Sequence, residues 1–423
     1  MRYLLSALLL LTVVFPVGAA SFLHGPYVGA PSETSVTICW LASEPVAARV
    51  EYDRMDAFSA SGTLALAIDW IEPSPDSDAA VRHEIALTDL DPDSEYAYRV
   101  VLRDDTGDTA SPIGRFVTAP PPRESVSFLV LADTQWQWEG VNRLEAINDA
   151  IAADGTPFDF ILHGGDLVES PSSPYWDHWF QAFDDMLLLT SFLPVLGNHE
   201  ESHRSYYENF VLPPGGGRKD ERWWALHWGD VVVVGLDTVD LRVSDYYAEQ
   251  EWAREHLSGP EPHKFVIFHY PVFSSDAYHG DGYSYDVIFH PIFVETGVDI
   301  VFNGHAHNYE RIERDGITYL VIGGGGAVPR ELLEEHVEGS VVATEGYNFY
   351  ARVDTSADGI GVEVVSVARA TDDTFELTDG HLLDRFTVDG ESAVQRIAEV
   401  LLVLCAAVGA ALTGLLIVRG LVR

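Results

Sequence analysis

Apolar and polar positions alternate through the first hundred residues that follow the apolar start of the chain. Between residues 35 and 41, Val36, Ile38 and Trp40 share one face, and the residues between them share the other. A period of two is typical of a half-buried β-strand. Further short runs with turn residues between them lie at 48–52, 84–87 and 96–102. The pattern predicts an all-β sandwich over residues 21–119.

From residue 124 onward, continuous apolar runs alternate with helical patterns. The predicted strands are 127–131, 158–162, 192–196, 231–236, 264–268, 299–302 and 317–322, and the predicted helices are 142–153, 175–189 and 244–257. Unbroken apolar strands indicate sheets that are covered on both faces. We therefore predict an α/β domain over residues 124–370, built as a four-layer β-sandwich flanked by helices. Glu249 and Glu251 are expected on the exposed face of their helix, and residues 371–396 are predicted to form an acidic stalk.

Both ends of the sequence have the pattern of membrane-related segments. Residues 1–20 combine a short basic start, an apolar stretch and small residues at the end, which predicts a secretory signal peptide. Residues 397–418 form an apolar stretch that is long enough to cross a bilayer, and Arg419 and Arg423 follow it. We expect a single-pass membrane protein whose catalytic domain is extracellular.

The charge of the chain narrows the classes of partner. The sequence has 66 acidic and 25 basic residues, and its formal net charge is −41. So acidic a surface repels phosphate backbones, which excludes general nucleic-acid binding. The same composition favours a protein that stays hydrated in high salt. The oligomeric state is left open.

Five short blocks carry the candidate chemistry, and each follows an apolar strand-like run. They are Ala132-Asp133-Thr134-Gln135, Gly164-Gly165-Asp166, Gly197-Asn198-His199-Glu200, Phe268-His269-Tyr270 and Gly304-His305-Ala306-His307. Carboxylate, amide and imidazole groups suit borderline divalent metals. The residue types therefore predict a two-metal site, which would polarise phosphoryl oxygens and lower the pKa of a bound water for phosphate-ester hydrolysis.

The ligands divide into two sets. Asp166 is the expected bridging carboxylate, because Gly164-Gly165 lets the backbone turn sharply beside it. We assign Asn198, His269 and His305 to one metal, and Asp133 and His307 to the other with Asp166.

Further residues near these blocks are candidates for other roles. His199 is expected at the rim as the general acid for the leaving oxygen, and Glu200 is expected to orient an imidazole. For His279 two interpretations remain open: binding or protonating the substrate, or a solvated loop position. The glycine run at 323–326 is interpreted as a turn that lets the backbone approach the site.

The blocks resemble the calcineurin-like metallophosphoesterases, and most of all the purple acid phosphatases. Gly197-Asn198-His199-Glu200 is identical to one motif of that family, and the nine residues from Asn303 to Arg311 are similar to another. Residues 87–98 resemble the tyrosine-containing corner of fibronectin type III domains, a sandwich that also precedes the catalytic domain in this family. The resemblance implies the six ligands above, His199 as the leaving-group acid and His279 as a substrate contact.

Two departures from the family pattern bear on the first metal. The purple enzymes carry a Tyr three residues after the bridging Asp, where this chain has Glu169, and many members carry His where it has Gln135. Either residue, or water, could complete the shell. We predict a colourless enzyme that uses two divalent ions, Mn, Zn or Fe.

Three functions follow in order of preference. The first is an acid phosphatase-like phosphomonoesterase acting on small phosphate esters. The second is a phosphodiesterase or nucleotide hydrolase on the same metals. The third is a surface adhesion or scaffold protein without catalysis.

Overall fold

The computed structural model describes residues 19–73, 81–122, 125–135, 142–217, 221–239, 243–280 and 284–389. The predicted transmembrane helix at 397–418 lies outside the described residues, as do residues 1–18 of the predicted signal peptide. In the part of the chain that is described, no helix has both the length and the apolar character to cross a membrane.

Two antiparallel sheets form the N-terminal part and share one core. Their strands are β1 (Phe22–Gly29), β2 (Val36–Ala42), β3 (Ala47–Arg54), β4 (Leu66–Ala67), β5 (Val81–Leu87), β6 (Glu95–Asp104), β7 (Gly107–Ala110) and β8 (Gly114–Val117). One sheet has the order β1-β2-β5, and the other has the order β4-β3-β6-β7 with β8 paired to β6. Ile38 and Trp40 belong to the same buried cluster as Val50 and Val100 of the opposite sheet. The predicted alternation and the β-sandwich are confirmed.

Two local features refine this sandwich. The backbone N–H of Asp91 donates to the Tyr96 hydroxyl at 3.0 Å, which is the kind of contact that a tyrosine corner makes in immunoglobulin-like sandwiches. A short helix, α1 (Met55–Ser61), interrupts the all-β pattern and was not predicted. The residue that caps its C-terminal end, Gly62, has a left-handed backbone. The helix buries no side chain, so it lacks the apolar stripe from which a helix is identified in a sequence.

Two larger sheets form the second part of the protein. The seven-stranded sheet contains β9 (Ser127–Leu131), β10 (Phe160–His163), β11 (Ser191–Pro194), β20 (Tyr347–Ser356), β21 (Gly359–Ala370), β22 (Phe375–Leu377) and β23 (Leu382–Asp389). The eight-stranded sheet contains β12 (Gly215–Gly216), β13 (Trp223–Trp228), β14 (Val231–Gly235), β15 (His263–Phe268), β16 (Ile300–Asn303), β17 (Tyr309–Arg314), β18 (Ile317–Ile322) and β19 (Ser340–Thr344). Phe128 of the first sheet meets Phe265 of the second edge-on, with 5.1 Å between ring centroids. The two sheets therefore pack face to face.

Strand β14 shows why its apolar run is unbroken. Val231 and Val233 enter the core between the two sheets. Val232 and Val234 enter a second cluster that contains helical residues. Since successive side chains point to opposite faces, a strand covered on both faces needs apolar residues at every position. The predicted α/β class is confirmed.

Helices cover the sheets on the outside. They are α2 (Arg143–Asp154), α3 (Ser173–Leu189), α4 (Arg204–Asn209), α5 (Val243–Leu257), α6 (Tyr285–Ile288) and α7 (His290–Thr296). The expectation for Glu249 of α5 is wrong, because this residue is fully buried. Its carboxylate accepts a hydrogen bond of 2.6 Å from the backbone N–H of Asp237. A tertiary contact thus accompanies the burial of an ionisable residue.

The predicted stalk at 371–396 is wrong for most of its described length. Strands β22 and β23 both pair with β21 and extend the seven-stranded sheet. Asp384 of β23 accepts hydrogen bonds of 2.8 Å from the Tyr309 hydroxyl and from Arg311 Nε. Acidic residues that suggested a solvated stalk instead bind cationic and hydroxyl groups of the folded domain.

Candidate metal centre

The ends of parallel strands bring the five sequence blocks together. Strands β9, β10 and β11 run parallel in one sheet, and β14, β15, β16 and β18 run parallel in the other. The block of each candidate ligand follows the carboxyl end of one of these strands. Folds of this class place their sites in that crevice.

One group of donors surrounds Asp166. Asp166, His269 and His305 are buried, and each offers a ligand atom within 4.8 Å of the others. His269 Nε2 lies 3.3 Å from Asp166 Oδ2 and 3.0 Å from Asn198 Oδ1. These are the four residues that the sequence assigns to one metal and its bridge.

A second group lies on the other side of Asp166. His307 Nε2 lies 3.4 Å from Asp133 Oδ1 and 3.1 Å from Gln135 Nε2. Gln135 Nε2 is also 3.3 Å from Asp166 Oδ2. The Asp133 carboxylate accepts the backbone N–H of His305 at 2.9 and 2.8 Å from its two oxygens. The structure thus brings the six predicted ligands into one cluster, with Asp166 in contact with both groups.

The hydrogen bonds of two imidazoles test whether this cluster suits metal ions. His269 Nδ1 lies 2.9 Å from the Gly164 carbonyl oxygen, and His307 Nδ1 lies 2.9 Å from the Val328 carbonyl oxygen. A carbonyl oxygen only accepts, so each Nδ1 carries a proton, and Nε2 is the ring atom whose lone pair could bind a metal ion in place of a proton. At His269 that lone pair meets oxygens of Asp166 and Asn198. These three electron-pair atoms lie close together and would repel one another unless a cation lay between them. The residues present therefore fit a metal ion.

Two further properties of the cluster agree with this fit. Gln135 Oε1 is buried and has no hydrogen-bond partner among the described residues. Burial lowers the pKa of His269, but the Asp166 carboxylate outweighs that effect and raises it to about 9. Burial also lowers the pKa of His305, and the neighbouring His269 lowers it further. The cluster therefore attracts positive charge at one imidazole and keeps a second one neutral.

Three of the candidate ligands have an unusual backbone. Asp133, Asp166 and His305 have φ angles of 59°, 55° and 68°, in the left-handed region. Residues other than glycine seldom adopt this conformation, and it clusters at functional sites. Here it turns the chain sharply at the strand ends so that these side chains meet.

His199 lies at the rim, as predicted, with 28% of its side chain exposed. Its Nδ1 donates to the Glu169 carbonyl oxygen at 2.8 Å, and its Nε2 lies 3.8 Å from Asp166 Oδ2. Burial lowers the pKa of His199, but Asp166, the Glu169 carbonyl and the Glu169 carboxylate together outweigh burial and raise it. The Glu169 carboxylate lies 4.0 Å from His199 Nδ1, so it is placed beside the predicted acid.

Glu200 does not orient an imidazole, and that expectation is wrong. Its buried carboxylate accepts four backbone N–H groups, from Asp166, Leu167, Val168 and Gly197, at 2.8 to 3.1 Å. Glu200 therefore holds the backbone turn that carries Asp166. A carboxylate directly after a ligand block is a signal for such a role, although sequence does not show which group it binds.

His279 is half-buried, and its ring centroid lies 3.9 Å from that of His305. Burial lowers the pKa of His279, and the nearby Arg330 lowers it further. Arg330 Nη1 forms a hydrogen bond with His279 Nε2. Sequence reasoning missed Arg330; the available signal was a scarce cation four residues after the glycine run.

The glycine run passes between the first and last blocks. Gly325 N–H donates to the Ala132 carbonyl oxygen at 2.8 Å, and Ala327 N–H donates to that of Asp133 at 2.9 Å. A Cβ atom on Gly323 would lie 2.1 Å from the Ala306 oxygen, and one on Gly325 would lie 2.4 Å from the Ala132 oxygen. Only glycine allows this approach.

Comparison with known proteins identifies the domain. The model of the family described as calcineurin-like phosphoesterase matches residues 126–309. Purple acid phosphatase 1 of Ipomoea batatas is 27% identical over 267 residues, which cover 58% of this chain and 54% of that protein. A phosphoenolpyruvate phosphatase of Allium cepa is 25% identical over 263 residues, which cover 57% and 53%. The chain thus spans about half the length of these curated relatives.

Solved structures agree on the fold. The purple acid phosphatase PPD1 from yellow lupin (Lupinus luteus) seeds has a TM-score of 0.70 at 16% identity, covering 86% of this chain and 74% of that one. The structure of PhoD has a TM-score of 0.64 at 13% identity, covering 88% and 91%. Residues 126–309 form a calcineurin-like phosphoesterase domain, and the chain is similar to purple acid phosphatases in sequence and in fold.

Proposed function

We propose that this protein is a metal-dependent phosphomonoesterase with two metal ions at the centre described above. The observation that carries the proposal is the position of Asp166, whose carboxylate contacts His269 on one side and Gln135 on the other. A shared carboxylate between two donor sets is what a two-metal clamp requires. Such a pair of ions polarises the phosphoryl oxygens and lowers the pKa of a bound water.

The residues of the chain divide the remaining work. Asn198, His269 and His305 would hold one ion, and Asp133 and His307 would hold the other with Asp166. His199 would hold a proton at Nε2 for the leaving oxygen, because its Nδ1 is fixed on the Glu169 carbonyl. A positioned general acid typically contributes about 10²- to 10⁴-fold in rate.

Gln135 is our choice for the residue that completes the shell of the ion held by Asp133 and His307. Its amide contacts both Asp166 and His307, whereas the Glu169 carboxylate lies beside His199. The two ends of an amide have the same shape, and a rotation by 180° would exchange Nε2 with Oε1. That rotation would present an oxygen to the ion. With no tyrosine at position 169, divalent Mn, Zn or Fe are the expected ions.

Hydrolysis of p-nitrophenyl phosphate by the full chain tests this function. The protein is assayed in high salt, stripped with a chelator, and then supplied with Mn²⁺ or Zn²⁺. We expect turnover to vanish with the chelator and to return with the metal. Folded protein that shows no turnover with any of the ions would contradict a phosphomonoesterase, and diesters would then be assayed.

A matched pair of histidine variants links the turnover to the site. His263 and His269 lie at the two ends of the same strand segment and are both buried, but His263 Nε2 contacts the Ser356 carbonyl oxygen rather than the cluster. H269A is expected to lose bound metal and turnover together. H263A is expected to keep its metal. Equal metal content in the two variants would contradict the ligand assignment.

A further inference from the structure

Arg330 lies at the rim of the candidate centre and is fixed to it through the backbone. Its N–H donates to the His307 carbonyl oxygen at 2.9 Å. Its guanidinium carbon lies 4.8 Å from the centroid of the Tyr278 ring, and Nη1 contacts His279 Nε2. A chain of contacts therefore leads from the ligand His305 through His279 to a cation.

The two segments that carry this rim are held together. Ala277 N–H donates to the Glu331 carbonyl oxygen at 2.9 Å, and Leu333 N–H donates to that of Ser275 at 2.8 Å. Buried Asp276 accepts the N–H of His279 at 2.7 Å and the side-chain amide of Asn308 at 3.1 Å. Arg330 and His279 are thus positioned before any ligand binds, which reduces the entropy that binding would cost.

The contact between the two side chains defines their roles. A guanidinium has only N–H donors, so His279 Nε2 must be the acceptor. One of the five N–H groups of Arg330 is used in this bond, and a planar guanidinium offers a fork that matches the two oxygens of a carboxylate. The Tyr278 ring, which is 76% exposed, supports the guanidinium at the mouth.

The charges around Arg330 determine which anionic ligands its guanidinium can bind. The described site contains the carboxylates of Asp133, Asp166, Glu169 and Glu200, and the whole chain has a net charge of −41. The two proposed ions would offset these carboxylates where the phosphoryl group binds, but at the rim a second anionic group faces the acidic surface of the chain unless a cation meets it. A carboxylate brings one negative charge, and a phosphate group brings about two. The single positive charge of Arg330 therefore matches a carboxylate, rather than a second phosphate group, on the substrate.

We propose that Arg330 is a specificity-determining residue, and that the preferred substrates are phosphate monoesters whose leaving group carries a carboxylate next to the ester oxygen. The proposal rests on the phosphoesterase function proposed above. Arg330 binds the carboxylate, His279 holds the guanidinium in place, and the phosphate group of the ester would bind at the metal centre.

Binding of a non-hydrolysable pair of probes tests this assignment separately from catalysis. Phosphonoacetate has a carboxylate beside its phosphonate, and phosphonoacetamide has a neutral amide of the same shape. Titration calorimetry on the metal-loaded full chain gives the ratio of their two dissociation constants. We expect the wild-type protein to prefer phosphonoacetate, and R330Q to lose about 10- to 100-fold of that preference, since hydrogen bonds to charged groups are of this strength.

The matched control is R369Q, because Arg369 stacks on Tyr347 in a similar arrangement, with its guanidinium carbon 5.4 Å from the ring centroid. R369Q is expected to keep the wild-type ratio. If R330Q fails to fold, R330K carries the test, and its ratio is expected to fall at least threefold because ammonium lacks the planar fork.

The outcomes separate the two proposals. An unchanged ratio in the Arg330 variants overturns the specificity assignment, whether or not the enzyme is active. Wild-type protein that binds phosphonoacetate through Arg330 but hydrolyses no ester refutes the proposed function and leaves the carboxylate assignment in place.

Discussion

Two buried glutamates of this protein should respond very differently to the same substitution. Glu200 and Glu310 are both fully buried. The four groups that bind Glu200 are backbone N–H donors. Glu310 accepts the Ser275 N–H at 2.7 Å and the hydroxyls of Ser275 and Ser340 at 2.6 and 2.7 Å. A backbone N–H cannot become an acceptor, whereas a hydroxyl can rotate to accept.

The magnitudes follow from these contacts. In E200Q one carboxylate oxygen becomes an NH₂ group, and each oxygen of Glu200 now accepts two N–H groups, so two buried donors lose their acceptor. At about 1–3 kcal/mol for each unsatisfied buried group, E200Q should cost roughly 2–6 kcal/mol. E310Q can keep its oxygen on the Ser275 N–H and let both hydroxyls reorient, so about 0.5–1.5 kcal/mol is expected.

Urea unfolding of both variants without metal measures this difference. Loss of the turn around Asp166 should also weaken metal binding by E200Q about 10- to 100-fold, as removal of groups that orient ligands typically does. If E200Q is no less stable than E310Q, the reasoning from donor geometry is refuted. An E200Q protein that is destabilised but binds metal normally would refute the link between this turn and the site.

Four further results are expected. H199A should lose about 10²- to 10⁴-fold in kcat on alkyl phosphates and much less on p-nitrophenyl phosphate, whose leaving group needs little protonation; an equal loss on both esters would exclude a general acid. Q135L should hold fewer metal ions per chain than E169Q, as measured by mass spectrometry, and the reverse order would move the assignment to Glu169. Metal-loaded protein should show no tyrosinate charge-transfer band, and a visible band would contradict the interpretation of position 169. Burial and the nearby Asp237 raise the pKa of Glu249 well above its ordinary value, so the folded chain keeps a proton that the unfolded chain releases; stability should fall as pH rises above about 4.5, by up to about 1.4 kcal/mol per unit, and E249Q should flatten that slope.

Sequence reasoning succeeded where one physical signal determined the result. The period of two around Trp40 and the unbroken valine run of β14 both report burial directly, so the sandwich and the covered sheet could be predicted. The same holds for the grouping of the ligand blocks, because each follows a parallel strand and such strands end at one edge.

The failures have a common cause in long-range contacts. Glu249 looked exposed because a carboxylate is usually solvated, but the Asp237 N–H draws it inside. Strands β22 and β23 were predicted to be a stalk because their acidic residues have no partners nearby in the sequence. Their partners are distant in the chain: Arg311, which binds Asp384, lies about seventy residues away. Arg330 stands four residues after the glycine run, but only the fold places it beside His279. No local pattern encodes contacts of this kind.

The left-handed backbone of Asp133, Asp166 and His305 lowers the stability of the fold while it brings these candidate ligands together. A non-glycine residue in this region costs of order 1–3 kcal/mol, and glycine adopts it without that cost. Replacing any of these three residues by glycine would remove a candidate ligand and also relieve the backbone strain. Replacement by alanine would remove the same ligand without relieving the strain. Selection for stability alone would drive this scaffold away from metal chemistry. A descendant that became a purely structural surface protein is accordingly expected to carry glycine or asparagine at these three turns.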